Sequence, residues 1–267
     1  MTMPTNTGKS GGLEPIKKCE KCGKDTEMYI PNPFTGKPQK LKIMCDCKKT
    51  ERRQWEERNK RDEEETARRR NMADSLMSAK GRQAKFENIS ETPENTKIIQ
   101  AAKRYCEQWQ ENKKDGKGLL FCGNTGRGKT TIAYCIANEL LNKGVRVKAV
   151  TANSFIDLAY KNSIAVSDFA AADLVILDDL GAEYKTKFST SKVYELIDAL
   201  YNAQKPLIIT TNLTVAGLKE HLTGADGCPR AYDRLVEMLK IVEFTGENYR
   251  IKNASRKYGN FTSVDKD

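Results

Sequence analysis

Residues Gly123-Asn124-Thr125-Gly126-Arg127-Gly128-Lys129-Thr130 place a lysine and a hydroxyl behind three glycines, in the order Gly, four residues, Gly-Lys-Thr. That spacing suits one chemistry, the holding of a nucleoside polyphosphate. Glycine lets successive backbone N–H groups turn inward around a phosphate, and a helix that follows adds its positive N-terminus. Lys129 would reach the β- and γ-phosphates, and the Thr130 hydroxyl would complete the shell of a Mg²⁺ ion. Asn124, Thr125, Arg127 and Thr131 form the rest of the expected cradle for ATP or ADP. The flanks agree with this reading. Gly118 to Cys122 (GLLFC) reads as a short apolar strand, and Ile132, Cys135, Ile136, Leu140 and Leu141 recur at helical spacing.

A second set of residues extends this chemistry. Asp173-Leu174-Val175-Ile176-Leu177-Asp178-Asp179 runs apolar into two carboxylates about fifty residues beyond the phosphate loop. A buried strand ending this way delivers Asp178 to the Mg²⁺, and Asp179 is placed to orient or activate the attacking water. Pro206 to Asn212 (PLIITTN) is another strand ending in a polar residue. Neighbouring parallel strands gather such tips at their carboxyl edge, so Asn212 either holds that water or is an ordinary strand-ending turn residue.

The eight cysteines fall into two kinds. Cys106, Cys122, Cys135 and Cys228 are scattered, and the first three sit in apolar or helical contexts, as small core residues do. Cys19 and Cys22 form one close pair, Cys45 and Cys47 another, and the segment between them carries Pro31-Asn32-Pro33 and Thr35-Gly36. Two cysteine turns brought together by a hairpin suit a tetrahedral structural Zn²⁺ site, with no open position for catalysis. So short a segment would depend on the metal to fold.

The elements that must position these groups follow in order. Residues 1–15 are polar and rich in Gly and Pro and are expected to be disordered. Residues 16–49 form the Cys₄ module. Residues 50–80 form a charged helical linker, with acids and bases at i,i+3 and i,i+4 spacing. Residues 81–267 form the ATPase domain, an α/β fold with a parallel sheet flanked by helices. Within it, Thr92-Pro93-Glu94 marks a helix start, and Val145 to Val150 reads as a strand followed by a helix capped at Ser154. His221, the single histidine, reads as an incidental, partly exposed helix residue.

The formal net charge is +10, with the excess in the N-terminal half of the chain. That balance favours a nucleic acid or an acidic protein as partner without choosing between them. No apolar run is long enough to cross a membrane and no secretory signal is visible, so a cytoplasmic location is expected.

With these pieces in order, the region from about Phe86 to Arg250 resembles the DnaC/DnaI-type helicase loaders and the related IstB-type transposition ATPases. The resemblance rests on GNTGRGKT, LVILDDLGAE, LIITTNL, Tyr232-Asp233-Arg234-Leu235 and VEFTGENYR. It implies a P-loop AAA+ ATPase with a five-stranded parallel sheet, which assembles with itself around a shared ATP site. It further implies loading of a replicative DNA helicase, gripped through residues 1–80, onto single-stranded DNA. Carried over by position, Asp178 is the Walker B aspartate, Asp179 the hydrolysis-side acid, Asn212 sensor 1, Arg234 the arginine finger and Arg250 sensor 2. An arginine supplied in trans would neutralise γ-phosphate charge and tie turnover to assembly, so slow, assembly-stimulated hydrolysis is expected. The alternative for Arg234 is a helix-surface ion pair with Asp233 or Glu237. Two departures stand out. Asp179 replaces the usual Glu, and the chain after Arg250 is short for a full helical lid. A transposition helper and a nucleotide-switched adaptor with little turnover remain open beside the loader.

Overall fold

The computed structural model describes residues 13–224 and 227–258, apart from the side chains at 253 and 256–258. Most of the segment expected to be disordered, and the last residues of the expected ATPase domain, lie outside the described residues. Leu13 to Pro15 carry no regular structure. Two compact units divide the chain, Met1–Glu65 and Thr66–Asp267.

In the first unit, β1 (Glu27–Pro31) and β2 (Pro38–Lys42) pair antiparallel, with Glu27 opposite Lys42 and Pro31 opposite Pro38. Asn32 makes the turn. Its side-chain oxygen accepts from the backbone N–H groups of Phe34 and Thr35, and Gly36 supplies a φ of 66°. Helix α1 (Asp46–Asp74) starts on an acidic residue and has no buried residue, as its near-continuous charge requires. It begins inside the segment read as the cysteine module, so Cys47 lies on its first turn.

The second unit is built on a five-stranded sheet of β3 (Gly118–Cys122), β4 (Val147–Thr151), β5 (Leu174–Leu180), β6 (Leu207–Thr211) and β7 (Leu239–Glu243). Their order is β4-β5-β6-β3-β7, and every pairing is parallel. Successive side chains point to opposite faces, so each central strand feeds two cores. Leu119, Phe121, Leu174, Ile176 and Ile208 join the cluster under α3 (Thr96–Glu107), α4 (Trp109–Lys114) and α5 (Lys129–Asn142). Leu120, Val175, Leu177, Leu207 and Ile209 join the other. That second cluster lies under α6 (Ala152–Tyr160), α7 (Val166–Ala170), α8 (Lys187–Asn202), α9 (Val215–Leu222) and α10 (Arg230–Met238). Coverage of both faces explains why β5 reads as an unbroken apolar run. The short helix α2 (Ala79–Arg82) docks on α5, where the Asn138 amide donates to the carbonyls of Gly81 and Ala84. A last helix, α11, covers Tyr249–Tyr258.

Two boundaries differ from the periodicity-based expectation. Thr92 to Asn95 form a side-chain-bonded turn, Asn95 Oδ1 accepting from the Thr92 N–H at 2.8 Å, so α3 starts only at Thr96. The strand after α5 runs 147–151, and Thr151 caps α6 by accepting from the Ser154 N–H, which moves the helix start ahead of Ser154.

Candidate functional site

The loop from Gly123 to Gly128 leaves the end of β3, the strand between β6 and β7, at the point where strand order reverses. Gly123 has a φ of 123°, and a Cβ there would lie 2.4 Å from the Phe244 carbonyl oxygen. Gly126 has a φ of 77°, and its Cβ would lie 2.0 Å from Asn248 Oδ1. Only glycine fits either position. At Gly128, the last residue before α5, φ is 91° and nothing lies within 4 Å of where a Cβ would be, so the space over the helix N-terminus is open. Arg127 carries a buried Nε with no partner among the described residues. It lines a cavity of about 440 Å³ beside the loop, together with Ile89, Ile132, Phe244 and Tyr249. An orphaned donor beside an open helix N-terminus is what an anionic nucleotide would satisfy.

Lys129 is buried, and its Nζ donates to the carbonyls of Gly123 (2.7 Å) and Asn124 (2.8 Å) and to Asn212 Oδ1 (2.8 Å). Burial is the main cause that lowers its pKa. The charge of Arg250 acts in the same direction, and Asp179 opposes both.

The Thr130 hydroxyl donates to Asp178 Oδ1 at 2.8 Å, so the two residues expected to hold Mg²⁺ already touch. Asp178 is 3% exposed, and burial raises its carboxyl above the usual range. The Thr210 and Thr130 hydroxyls pull the other way. A desolvated carboxylate beside a hydroxyl suits a hard divalent cation.

Asp179 adopts a φ of 56°, left-handed for a residue with a side chain, and the β5–β6 register shifts between Leu177 and Leu180. The shift is a bulge that re-aims Asp179, at a backbone cost of about 1–3 kcal/mol. Thr210 holds it. The same hydroxyl accepts from the Asp179 N–H (2.9 Å) and donates to Asp178 Oδ1 (2.6 Å). Asn212 then bridges the site, accepting from Lys129 and donating to Asp179 Oδ1 at 3.2 Å. Lys129, Thr130, Asp178, Asp179 and Asn212 are thus one hydrogen-bonded cluster. Asn212 thus makes two side-chain contacts within that cluster, to Lys129 and to Asp179.

Arg250 follows directly on a residue bonded to the phosphate loop. The N–H of Tyr249 donates to the Gly126 carbonyl at 2.9 Å, and Asn248 Oδ1 caps α11 by accepting from the N–H groups of Arg250 and Ile251. Arg234 is placed elsewhere. It donates to the Tyr194 hydroxyl at 2.9 Å, pairs with Asp198, and lies over the rings of Tyr194 and Tyr201 at 5.3 and 5.4 Å. The acid it meets is therefore on α8, not Asp233 or Glu237, and among the described residues it makes no contact with the phosphate loop.

Sequence reasoning missed three contributors. Thr210 could have been found, since period two puts it on the face of Asn212. Tyr134, whose hydroxyl lies 3.4 Å from Asp178 Oδ2, reads only as core. The third is a clasp behind Asp179. Glu183 Oε2 accepts from the Gly181 N–H at 2.7 Å, and Glu183 Oε1 lies 2.7 Å from His221 Nε2. His221 is therefore a partnered residue rather than an incidental one.

In the first unit, the sulfurs of Cys19, Cys22, Cys45 and Cys47 all lie within 4.8 Å of one another, with Cys47 Sγ at 3.5, 3.4 and 3.1 Å from Cys19, Cys22 and Cys45. A tetrahedral Zn²⁺ with bonds of about 2.3 Å needs sulfurs roughly 3.8 Å apart, so the four fit the ion. None of the four is in a disulfide. Backbone N–H groups of Cys22 and Lys21 hold the Cys19 thiol down to about 6, toward the thiolate a metal requires. Lys21 pairs with Glu51 and Lys24 with Asp46, which join the first cysteine turn to α1.

A phosphate loop after β3, an acidic pair near the end of β5 and a polar tip on the β6 strand between them define a P-loop nucleotide-binding domain of the AAA+ fold. The family profile of IstB-like ATP binding proteins matches residues 50–257, and the chain belongs to that family. Among similar proteins is the replicative helicase loader DnaC of Escherichia coli, 23% identical over 187 residues, covering 65% of this chain and 71% of that protein. An insertion sequence ATP-binding protein of Sinorhizobium fredii is 31% identical over 147 residues, 52% of this chain and 48% of its own length. The helicase loader DnaI of Bacillus subtilis is 26% identical over 173 residues, 59% and 55% respectively. A crystal structure of DnaI superimposes with a TM-score of 0.57 at 24% identity, over 66% of this chain and 95% of that one, and supports the fold. Among the described residues, no helix is long and apolar enough to cross a membrane.

Proposed function

We propose that the chain is a cytoplasmic ATPase that loads a replicative DNA helicase onto single-stranded DNA. The observation that carries this reading is the joining of a four-cysteine module to a complete phosphate-loop cluster in a chain similar to DnaC and DnaI. In this reading Lys129 neutralises the β- and γ-phosphates, exchanging its contacts with Gly123, Asn124 and Asn212 for phosphate oxygens. Thr130 and Asp178 would hold Mg²⁺, whose charge supplies Lewis-acid stabilisation of the phosphoryl oxygens. Asp179 accepts a proton from the attacking water, and Asn212, already bonded to Asp179 and Lys129, orients that water. Aspartate is shorter than glutamate, so turnover is slow and rises on assembly. Arg250 serves the site of its own chain. Arg234, held by the aromatic and acidic residues of α8, is offered in trans to a neighbouring copy.

Exposed aromatics support a single-stranded DNA contact. Tyr160 and Phe188 meet edge to face at 5.8 Å, Tyr184 is 91% exposed, and Lys161, Lys185 and Lys187 adjoin them in sequence. Aromatic faces among lysines suit stacking of unpaired bases along a tracked backbone. The cysteine module and the charged helix would grip the helicase.

A second reading, an ATPase assisting a transposase, is favoured by the family profile and the Sinorhizobium relative. Capture with the full-length chain and ATP, followed by identification of the retained protein, separates the two. Recovery of a ring-shaped helicase, lost with Cys19→Ser, is expected; recovery of a transposase would replace the first reading with the second.

A further inference from the structure

We infer that Tyr249 is the positioning residue that holds Arg250 over the phosphate end of the nucleotide, through a latch that also closes the base compartment. This rests on the ATP-binding reading above.

Tyr249 joins three segments that are far apart in the chain. Its hydroxyl lies 3.0 Å from Thr92 Oγ1 and accepts from Asn95 Nδ2 at 3.1 Å, and its backbone N–H donates to Gly126 of the phosphate loop. The frame it meets is itself fixed. Asn95 is buried, its Oδ1 accepts from the Thr92 N–H, and its Nδ2 also donates to the Ser90 carbonyl at 3.0 Å. The phenol is thus bonded to a side-chain-bonded turn and ties the start of α11 to it.

The same residues wall the 440 Å³ cavity beside the loop. Ile89, Ile132 and Phe244 give it apolar surface, and the unpartnered Arg127 Nε belongs to its wall. A cavity of this size and lining takes a planar base. Tyr249 is therefore both a wall of that compartment and the residue immediately before Arg250. The Tyr249 N–H bond to the Gly126 carbonyl ties the start of α11, and with it the backbone of Arg250, to the phosphate loop. Adjacent residues on one helical turn move together, so release of the phenol would release Arg250 as well.

Loss of one hydroxyl with two partners should weaken the step it supports by about three- to tenfold. In this inference Arg250 acts on the terminal phosphate, so the loss should fall on the triphosphate. Calorimetric titration of full-length Tyr249→Phe should show a non-hydrolysable ATP analogue bound about tenfold more weakly and ADP within about twofold of the unaltered protein. Thr92→Val should reproduce this from the other side of the bond. In an Arg250→Ala background, Tyr249→Phe should add nothing to the triphosphate loss, since the two residues act as one unit. Equal weakening of ADP and the analogue, or losses that multiply in the double variant, would overturn the inference and leave Tyr249 a wall alone. An unaltered protein that binds neither nucleotide would remove the ATP-binding reading itself, a different outcome from normal binding with no effect of Tyr249→Phe.

Discussion

Replacing Asp173 by asparagine should destabilise the nucleotide-binding unit in a way that depends on pH. Asp173 stands immediately before β5, the strand that delivers Asp178. Its Oδ2 accepts from Arg146 N and Nε at 3.1 and 3.3 Å, and its Oδ1 from Arg146 Nη2 at 3.2 Å and Lys113 Nζ at 3.0 Å. Burial alone would raise this carboxyl, but the bonds from Arg146 and Lys113 outweigh it and bring the pKa to about 2 from an ordinary 3.8. A depressed carboxylate stabilises the fold above its unfolded pKa, and that contribution is lost as pH falls through the folded value. The shift of nearly two units is worth about 2 kcal/mol at pH 7, and roughly half of that remains at pH 3. For a unit of this size, Asp173→Asn should lower Tm by about 4–8 °C at neutral pH. Thermal unfolding of both proteins at pH 7 and pH 3 measures the difference at each. It should shrink by about half at the lower pH. A gap that is the same at both pH values would refute the reasoning, because the carboxylate charge would not be its source.

Asp179→Asn should keep nucleotide affinity within a fewfold and lower turnover by about 100-fold or more, whereas Lys129→Ala should abolish binding. Calorimetry and phosphate release measure the two effects, and unchanged turnover in Asp179→Asn would remove that residue from the chemistry. Elemental analysis of the full-length protein should find about one zinc per chain, and Cys19→Ser should lose most of it. A Cys19→Ser protein with full metal content would sink the Cys₄ site.

What could be read from the amino-acid order depended on how local each contact is. The phosphate loop was legible because its glycines answer to backbone conformations within eight residues. Asp178 and Asn212 were legible because an apolar strand ending in a polar residue points to one edge of a parallel sheet. The strain at Asp179 was not legible, since nothing in an aspartate demands a φ of 56°. That angle follows from a register slip against β6, pinned by Thr210, and register is a property of two strands. The clasp from His221 to Glu183 spans 38 positions and the Tyr249–Thr92 bond spans 157. A histidine on an amphipathic helix and a tyrosine beside an arginine carry no mark of such partners. Those two contacts brace the neighbours of residues the motifs had identified, Glu183 behind Asp179 and Tyr249 behind Arg250. The motif residues are the ones proposed for the chemistry of phosphate, which is common to many chains. The braces depend on which strands and turns this chain sets side by side, and they decide how firmly the shared chemistry is held.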